Sequence, residues 1–143
     1  MVQPPSDLPV TRIVSFHAHV YYDPAATRVV AERLRERISD LFVVQLGRWH
    51  DRPVGPHVQA MYQVAFAPPV FASFVPWLML NRDGLTVLVH ANTLEPYRDH
   101  TEHALWLGEK LPIKGEVLDA RIEPSQQDPV TPNSRAASQS GTR

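Results

Sequence analysis

Histidine is the residue type that could carry chemistry in this sequence, which holds seven histidines and no cysteine. The sharpest pattern is His17-Ala18-His19. On a β-strand, side chains two residues apart point the same way and lie about 6.5–7 Å from each other. Both imidazoles can then reach one metal ion, at about 2.0–2.1 Å from each ligating nitrogen. The pair alone is equally compatible with hydrogen-bonded histidines at a surface or an interface.

Alternation of apolar and polar residues predicts that this pair lies on one face of a sheet. Over Arg12–Tyr22 the apolar side chains occupy one face of a predicted first strand, and His17 and His19 occupy the other. The same parity places His57, at the start of a third strand, and His90, at the end of a fourth, on this histidine face. Four of the seven histidines therefore share one face. This favours a metal site over the alternative, a polar dimer interface with hydrogen-bonded histidines.

The other elements follow from periodicity and from residues that start helices. They are a helix capped by Asp23 that runs to about Asp40, a second strand over Phe42–Trp49, a third over His57–Phe66, a helix over Pro69–Leu80, a fourth strand over Leu85–His90, and a short helix from Asp99 to about Gly108. The order predicts an α+β, ferredoxin-like βαββαβ fold. One four-stranded antiparallel sheet, ordered 4-1-3-2, carries two helices on one face, and a short C-terminal helix follows. Because the second face is open, we expect a homodimer.

Composition limits the domain and excludes several function classes. Residues 1–10 and 119–143 are rich in proline or in small polar residues and are predicted to be disordered, which leaves one domain over residues 11–118. Lys and Arg number 14 against 15 Asp and Glu, so no excess positive charge indicates a nucleic-acid partner. No apolar run is long enough to span a membrane, and the first ten residues do not resemble a signal peptide. We therefore expect a cytoplasmic protein without membrane partners.

The loop between the second and third strands carries further candidates. Arg48 and Arg52 can clamp a carboxylate, and His50 lies between them in the sequence. The alternative is a fixed hairpin in which Arg52 pairs with Asp51.

Two more histidines, His100 and His103, lie three residues apart in the last predicted helix. They can supply an acid–base group or a partner to metal ligands, and packing at the helix end is the alternative. Other chemistries find no support, because the sequence has no G-x-S-x-G nucleophile motif and no phosphate-binding glycine loop.

Four segments, in this order, resemble the DOPA 4,5-dioxygenase family. They are residues His17–Tyr22, Gly47–His57, Leu88–Thr93 and Asp99–Ala104, and the resemblance covers about Arg12 to Leu111. The resemblance implies a ferredoxin-like fold. It also implies a non-haem Fe(II) enzyme that uses O₂ for extradiol cleavage of a small catechol such as DOPA.

This reaction gives each candidate a role. His19, His57 and His90 are the preferred iron ligands, and His17 is the alternate ligand or the acid–base group. The other candidates are His50 and His103 for catalysis, and Tyr21, Arg48 and Arg52 for substrate binding.

Two features leave the ligand set open. The usual facial triad has two histidines and one carboxylate, but the predicted histidine face carries no Asp or Glu. Either three histidines bind the ion, or Asp51 or Glu102 reaches it from a loop. In addition, His57 begins its predicted strand and His90 ends a parallel one, which would place them at opposite ends of the face.

Two other functions are compatible with the same residues. The first is a metal-free binding module that holds an aromatic acid on the open sheet face with Arg48 and Arg52. The second is a structural dimerisation domain. The shared face of four histidines favours the dioxygenase, because a pocket for an aromatic acid needs arginine and apolar walls rather than several imidazoles.

Overall fold

A five-stranded antiparallel sheet organises the chain. The computed structural model describes Val2 and residues 6–140. Its strands are β1 (Ser15–Tyr21), β2 (Gln45–Leu46), β3 (Met61–Phe66), β4 (Val87–Asn92) and β5 (Ala104–Leu107), and its helices are α1 (Arg28–Leu41), α2 (Phe71–Asn81), α3 (Pro96–Thr101) and α4 (Arg135–Ser140). No helix in this part of the chain is both long and apolar enough to cross a membrane.

The strand order is β2-β3-β1-β4-β5. The predicted α+β class and the predicted order of the first four strands are confirmed, because β1 lies between β3 and β4 and pairs antiparallel with both. The prediction of four strands is wrong, since β5 adds a fifth beside β4.

The fifth strand replaces most of the helix predicted from Asp99 to about Gly108. Helix α3 begins earlier, at Pro96, and ends at Thr101. Ala104–Leu107 then alternates, with Leu105 and Leu107 on the helix side of the sheet and Trp106 on the other. The free backbone groups at the edge of β4 pair with this segment, which outweighs the local helical signal.

The helix-covered face of the sheet forms the main core. Ala18 and Val20 of β1 and Tyr22, which follows the strand, lie under α1 and α2 together with Val64 and Phe66 of β3. Phe66 is fully buried and contacts Phe74 of α2 in a T-shaped pair with ring centroids 5.0 Å apart. This face is apolar because alternate residues of every strand point toward the helices.

The opposite face is covered by the chain's own loops. Tyr21, Met61 and Leu88 are buried there beneath Leu111 and Ile113, which belong to the segment after β5. The face that was expected to be open is therefore largely occupied. The predicted homodimer stays a prediction.

The C-terminal segment lies along the domain. Ile122 donates its backbone N–H to the carbonyl of Leu94 at 2.8 Å. Asn133 pairs with β2, because its backbone N–H bonds the Val44 carbonyl at 2.9 Å and its side-chain oxygen accepts the Leu46 N–H at 2.9 Å. These polar bonds attach a segment whose composition predicts disorder, residues 119–143. The parts of both predicted disordered segments at residues 1, 3–5 and 141–143 lie outside the described residues.

Candidate metal centre

Five histidines from four segments meet on the sheet face opposite α1 and α2. His17 and His19 come from β1, His90 from β4, His57 from the loop before β3, and His100 from α3. The ring centroid of His19 lies 4.1 Å from that of His57 and 5.1 Å from that of His90. The ring centroids of His90 and His100 are 3.9 Å apart. We call these five residues the histidine cluster.

Strand register fixes the three histidines of the sheet. His17 lies directly opposite His90 in the β1–β4 ladder, and their ring centroids are 5.1 Å apart. His19, two residues along the same face, places its Nε2 3.0 Å from the Nε2 of His90. The predicted assignment of His17, His19 and His90 to one face is therefore correct in the structure.

His57 reaches the cluster from a loop. Strand β3 begins at Met61 rather than at His57, so the predicted start of this strand is wrong. Gly55, with φ 55°, allows the tight turn that returns the chain, and His57 forms an isolated bridge with Ile113. This path places His57 beside His19 and removes the predicted separation of His57 from His90 along two parallel strands.

Helix α3 supplies the fifth imidazole, His100. The buried carboxylate of Asp99 accepts hydrogen bonds from the Thr93 backbone N–H at 2.7 Å and the Thr93 hydroxyl at 2.8 Å. The Nδ1–H of His103 donates to the same carboxylate at 2.9 Å. These bonds fix α3 close to the end of β4, so His100 faces His90. The sequence signal was the short connection of about six residues between His90 and this helix.

Backbone carbonyls fix the tautomers of two histidines. A carbonyl only accepts, so the Nδ1–H of His90 donates to the Ala91 carbonyl at 2.9 Å, and the Nδ1–H of His100 donates to the Pro96 carbonyl at 2.8 Å. In the neutral ring, each Nε2 is then a free acceptor or ligand. His19 must therefore donate its Nε2–H to His90, and the buried Nδ1 of His19 then carries a lone pair and no proton. Within the described residues, that atom has no hydrogen-bond partner.

Burial keeps these imidazoles neutral. Desolvation is the main cause that lowers the pKa of His17 to about 4, and the nearby His100 lowers it further. Desolvation also lowers the pKa of His57 to about 4. The pKa values of His19 and His90 are lowered by burial and by the neighbouring histidines, and that of His100 by burial. Neutral imidazole is the form that binds metal.

The cluster contains two overlapping sets that can hold a metal ion. In each set, one ligand atom from each of three residues lies within 4.8 Å of the others. The sets are His17, His19 and His90, and His19, His57 and His100. A shared ion would give the unpartnered Nδ1 of His19 the partner that a buried polar atom requires. Imidazole ligands suit iron, zinc, copper and nickel. The predicted ligands His57 and His90 fall in different sets.

The carboxylates considered as ligands are engaged elsewhere. Asp51 accepts hydrogen bonds from the Tyr22 hydroxyl at 2.6 Å and from Arg28 at 3.1 Å, on the side of α1. Glu102 is exposed and pairs with Arg98 at 2.9 Å. Among the described residues, both ligand sets consist of histidines alone.

The other predicted site residues occupy different positions. Tyr21 is buried, and its hydroxyl lies 2.6 Å from the Nδ1 of His57, so it orients that ring. His50 forms a backbone bridge with Met61. Arg48 and Arg52 are exposed on the loop, with no ion pair in the described part of the chain. The structure therefore brings Tyr21 to the cluster and leaves both arginines at the surface.

A cavity of about 200 Å³ gives access to the cluster. His17 and His100 line it together with Asn92 and Thr93 at the end of β4. Its far wall comes from the C-terminal segment, through residues that include Ile122 and Gln127. A small molecule in this cavity would contact two of the five imidazoles.

Two known proteins are similar to this chain in sequence. A 21.2 kDa uncharacterised protein of Botryotinia fuckeliana is 37% identical over 113 residues, which cover 69% of this chain and 60% of that protein. A DOPA 4,5-dioxygenase of Amanita muscaria is 34% identical over 111 residues, which cover 72% of this chain and 49% of that protein. The chain thus spans less than two thirds of the length of either relative.

A solved structure and a family model cover the domain more fully. The crystal structure of a proposed dioxygenase from Nostoc punctiforme superposes with a TM-score of 0.76 and 51% sequence identity, covering 78% of this chain and 96% of that one. The model of the Dopa 4,5-dioxygenase family matches residues 16–117, which contain all five residues of the histidine cluster. The chain therefore belongs to the Dopa 4,5-dioxygenase family.

Proposed function

We propose that this protein is a non-haem Fe(II) dioxygenase that cleaves the ring of a small catechol beside its two hydroxyl groups. The observation that carries the proposal is the histidine cluster, in which three neutral ligand nitrogens lie within 4.8 Å of one another. Family membership supports the same chemistry, since a relative in Amanita muscaria is named a DOPA 4,5-dioxygenase.

His17, His19 and His90 are the proposed ligands. All three lie on paired strands, so the ladder between β1 and β4 holds their relative positions. The hydrogen bond from His90 to the Ala91 carbonyl fixes the ring so that its Nε2 carries the lone pair, which would bind the ion in place of the hydrogen bond from His19. Bound there, Fe(II) would supply the one-electron chemistry that lets O₂ react with a catechol.

The overall reaction needs no external reductant. One carbon–carbon bond of the ring breaks, and both atoms of O₂ enter the product, a hydroxymuconic semialdehyde. The four electrons that reduce O₂ come from the catechol, so catechol and O₂ are the proposed substrates.

His100 is the proposed general base. Its Nδ1–H is held by the Pro96 carbonyl, so its Nε2 can accept a proton from a catechol hydroxyl. The lowered pKa keeps this ring neutral, and therefore able to accept that proton, at pH 7. His100 also lines the cavity that adjoins His17. The substrate hydroxyl would thus lie between a ligand and the base.

Iron loading followed by turnover tests the proposal. The protein is loaded anaerobically with Fe(II), exposed to air, and given catechols that include DOPA and protocatechuate. We expect one iron per chain, O₂ uptake and a yellow ring-opened product. Absence of bound iron would contradict the proposal.

Two pairs of variants separate ligands from the base. We expect His17→Ala and His90→Ala to lose iron and activity together. His57→Ala and His100→Ala should keep iron, and His100→Ala should lower turnover with a changed pH profile. The reverse pattern would assign the ion to His19, His57 and His100.

The alternative, a metal-free module that binds an aromatic acid on this face, is not favoured by the family membership or by the surface positions of Arg48 and Arg52. It predicts that chelated protein still binds the acid and that added iron brings no turnover. Calorimetry with and without chelator distinguishes the two functions.

A further inference from the structure

We propose that Arg12 and Arg121 bind a carboxylate of the substrate, so that the catechol accepted here carries an anionic side chain. This inference rests on the proposed function. The two arginines come from opposite ends of the domain, before β1 and after β5. Both lie outside residues 16–117, the part that matches the family model.

The two arginines line a second cavity, which adjoins the one that His17 and His100 line. This cavity, of about 290 Å³, is lined by Arg12 and Arg121. It shares Val14, Thr93 and Gln127 with the cavity that His17 and His100 line. The two spaces therefore adjoin. A catechol ring next to His100 can extend its side chain past Thr93 toward the arginines.

Charge in the second cavity favours an anion. Among the described residues, neither Arg12 nor Arg121 has a side-chain hydrogen bond or an ion pair, so both guanidinium groups are free to bind. Glu95 also lines the cavity, and Arg98 lies 3.5 Å from its carboxylate and 2.9 Å from that of Glu102, so one negative charge stands against the two arginines. A guanidinium binds a carboxylate through two parallel hydrogen bonds, a geometry that the substrate's carboxylate can accept.

Backbone hydrogen bonds fix the two segments that carry the arginines. The turn that carries Arg12 is closed by its N–H to the Pro9 carbonyl at 3.0 Å. Next to Arg121, the Ile122 N–H bonds the Leu94 carbonyl at 2.8 Å. The C-terminal segment thus forms a wall of the site and supplies one of its charges. In contrast, Arg48 and Arg52 line neither of the two cavities.

Binding of two catechols that differ in charge tests this inference. Fe(II)-loaded protein is titrated anaerobically by calorimetry with 3,4-dihydroxyphenylacetate, which is anionic, and with neutral 4-ethylcatechol. The double variant Arg12→Gln/Arg121→Gln should raise the Kd of the anionic ligand by about tenfold and leave the Kd of 4-ethylcatechol unchanged. Added salt should reduce the difference between the ligands in the wild type. Arg33→Gln, an exposed arginine on α1, is the matched control and should leave both Kd values unchanged.

Four outcomes overturn the inference. Equal losses of affinity for the two catechols in the double variant would show that the arginines do not distinguish the ligands by charge. If instead the variant Arg48→Gln/Arg52→Gln loses affinity for the anionic ligand alone, the carboxylate binds to the loop between β2 and β3. If neither catechol binds iron-loaded wild type, the proposed function fails and this inference fails with it. Neutral catechol that binds and turns over with no preference for the anion would leave the function standing and reject the arginine site alone.

Discussion

The two faces of one sheet are buried in different ways. On the face under α1 and α2, apolar side chains such as Val64 and Phe66 pack together. The buried Nη1 of Arg35 has no hydrogen-bond partner there, but its guanidinium lies over the aromatic rings of Trp49 and Tyr62. On the other face, His19 and His90 are nearly as inaccessible, with exposed fractions of 2% and 1%. Yet the buried Nδ1 of His19 has no hydrogen-bond partner in the described part of the chain.

The difference teaches which face is built for stability and which for binding. Burying apolar surface stabilises a fold, whereas burying an unpaired polar atom costs free energy. The histidine face retains one such atom, the Nδ1 of His19, and a ligand bound to it would remove that cost. The comparison can be tested from both sides, by variants that damage only one face.

The largest effect should follow from truncation on the helix-covered face. Phe66→Ala removes a fully buried ring that packs against Phe74, and we expect a loss of about 3–5 kcal/mol in the free energy of unfolding. Urea unfolding of the metal-free protein measures it. Folded molecules of the variant should still bind one metal ion. A loss below about 1 kcal/mol would mean that this face is loosely packed.

The histidine face should make the metal-free protein sensitive to acid. The pKa values of His17 and His57 are lowered to about 4 in the folded state by desolvation. Below pH 6.5 the unfolded chain takes up protons first, so stability falls as the pH drops from 6.5 to about 4. Either residue alone would contribute roughly 3 kcal/mol to this loss.

Unfolding of metal-free protein at pH 7, 6, 5 and 4 measures this dependence. The matched variant His57→Gln should show a shallower dependence of stability on pH, because a glutamine does not titrate. Equal slopes for the variant and the wild type would contradict the shifted pKa of His57.

The shared ligand should separate metal binding from stability. His19 belongs to both ligand sets, so His19→Ala should weaken metal binding by about a hundredfold. Its metal-free form should change little in stability, since loss of the unpartnered Nδ1 offsets loss of the Nε2 hydrogen bond to His90. Competition with a chromophoric chelator measures the affinity. Gln63→Ala, at the position opposite His19 on β3, is the control and should retain the metal.

The smallest effect should come from the hydroxyl that orients His57. Tyr21→Phe removes the 2.6 Å contact to the Nδ1 of His57 and keeps the ring against Trp106. We expect a loss of about 1 kcal/mol in the free energy of unfolding. Iron should remain bound, because His57 is outside the proposed ligand set. Loss of iron in this variant would move His57 into that set.

Periodicity predicted the parts of the site that strands control. Alternation in β1 and β4 is enough to place His17, His19 and His90 on one face, because parity along a strand decides the side. The first four strands were predicted in the correct spatial order for the same reason. Each of these features depends on local sequence patterns.

Long-range contacts decided the rest. His57 lies on a turn whose path depends on Gly55 and on the bridge to Ile113, more than fifty residues away. His100 enters the cluster because Asp99 ties α3 to Thr93, and no periodicity records that bond. The bonds of Ile122 and Asn133 to the domain are polar, and attachments of this kind leave no apolar pattern in the sequence.

The attachment of Asn133 to β2 also affects how separate molecules meet. A free strand edge offers its N–H and carbonyl groups to any other chain, and such edges promote aggregation. Asn133 forms hydrogen bonds with the Val44 carbonyl and the Leu46 N–H on one side of β2. The sheet is thereby closed at this edge by its own chain, and growth of the sheet through β2 would first require this segment to detach.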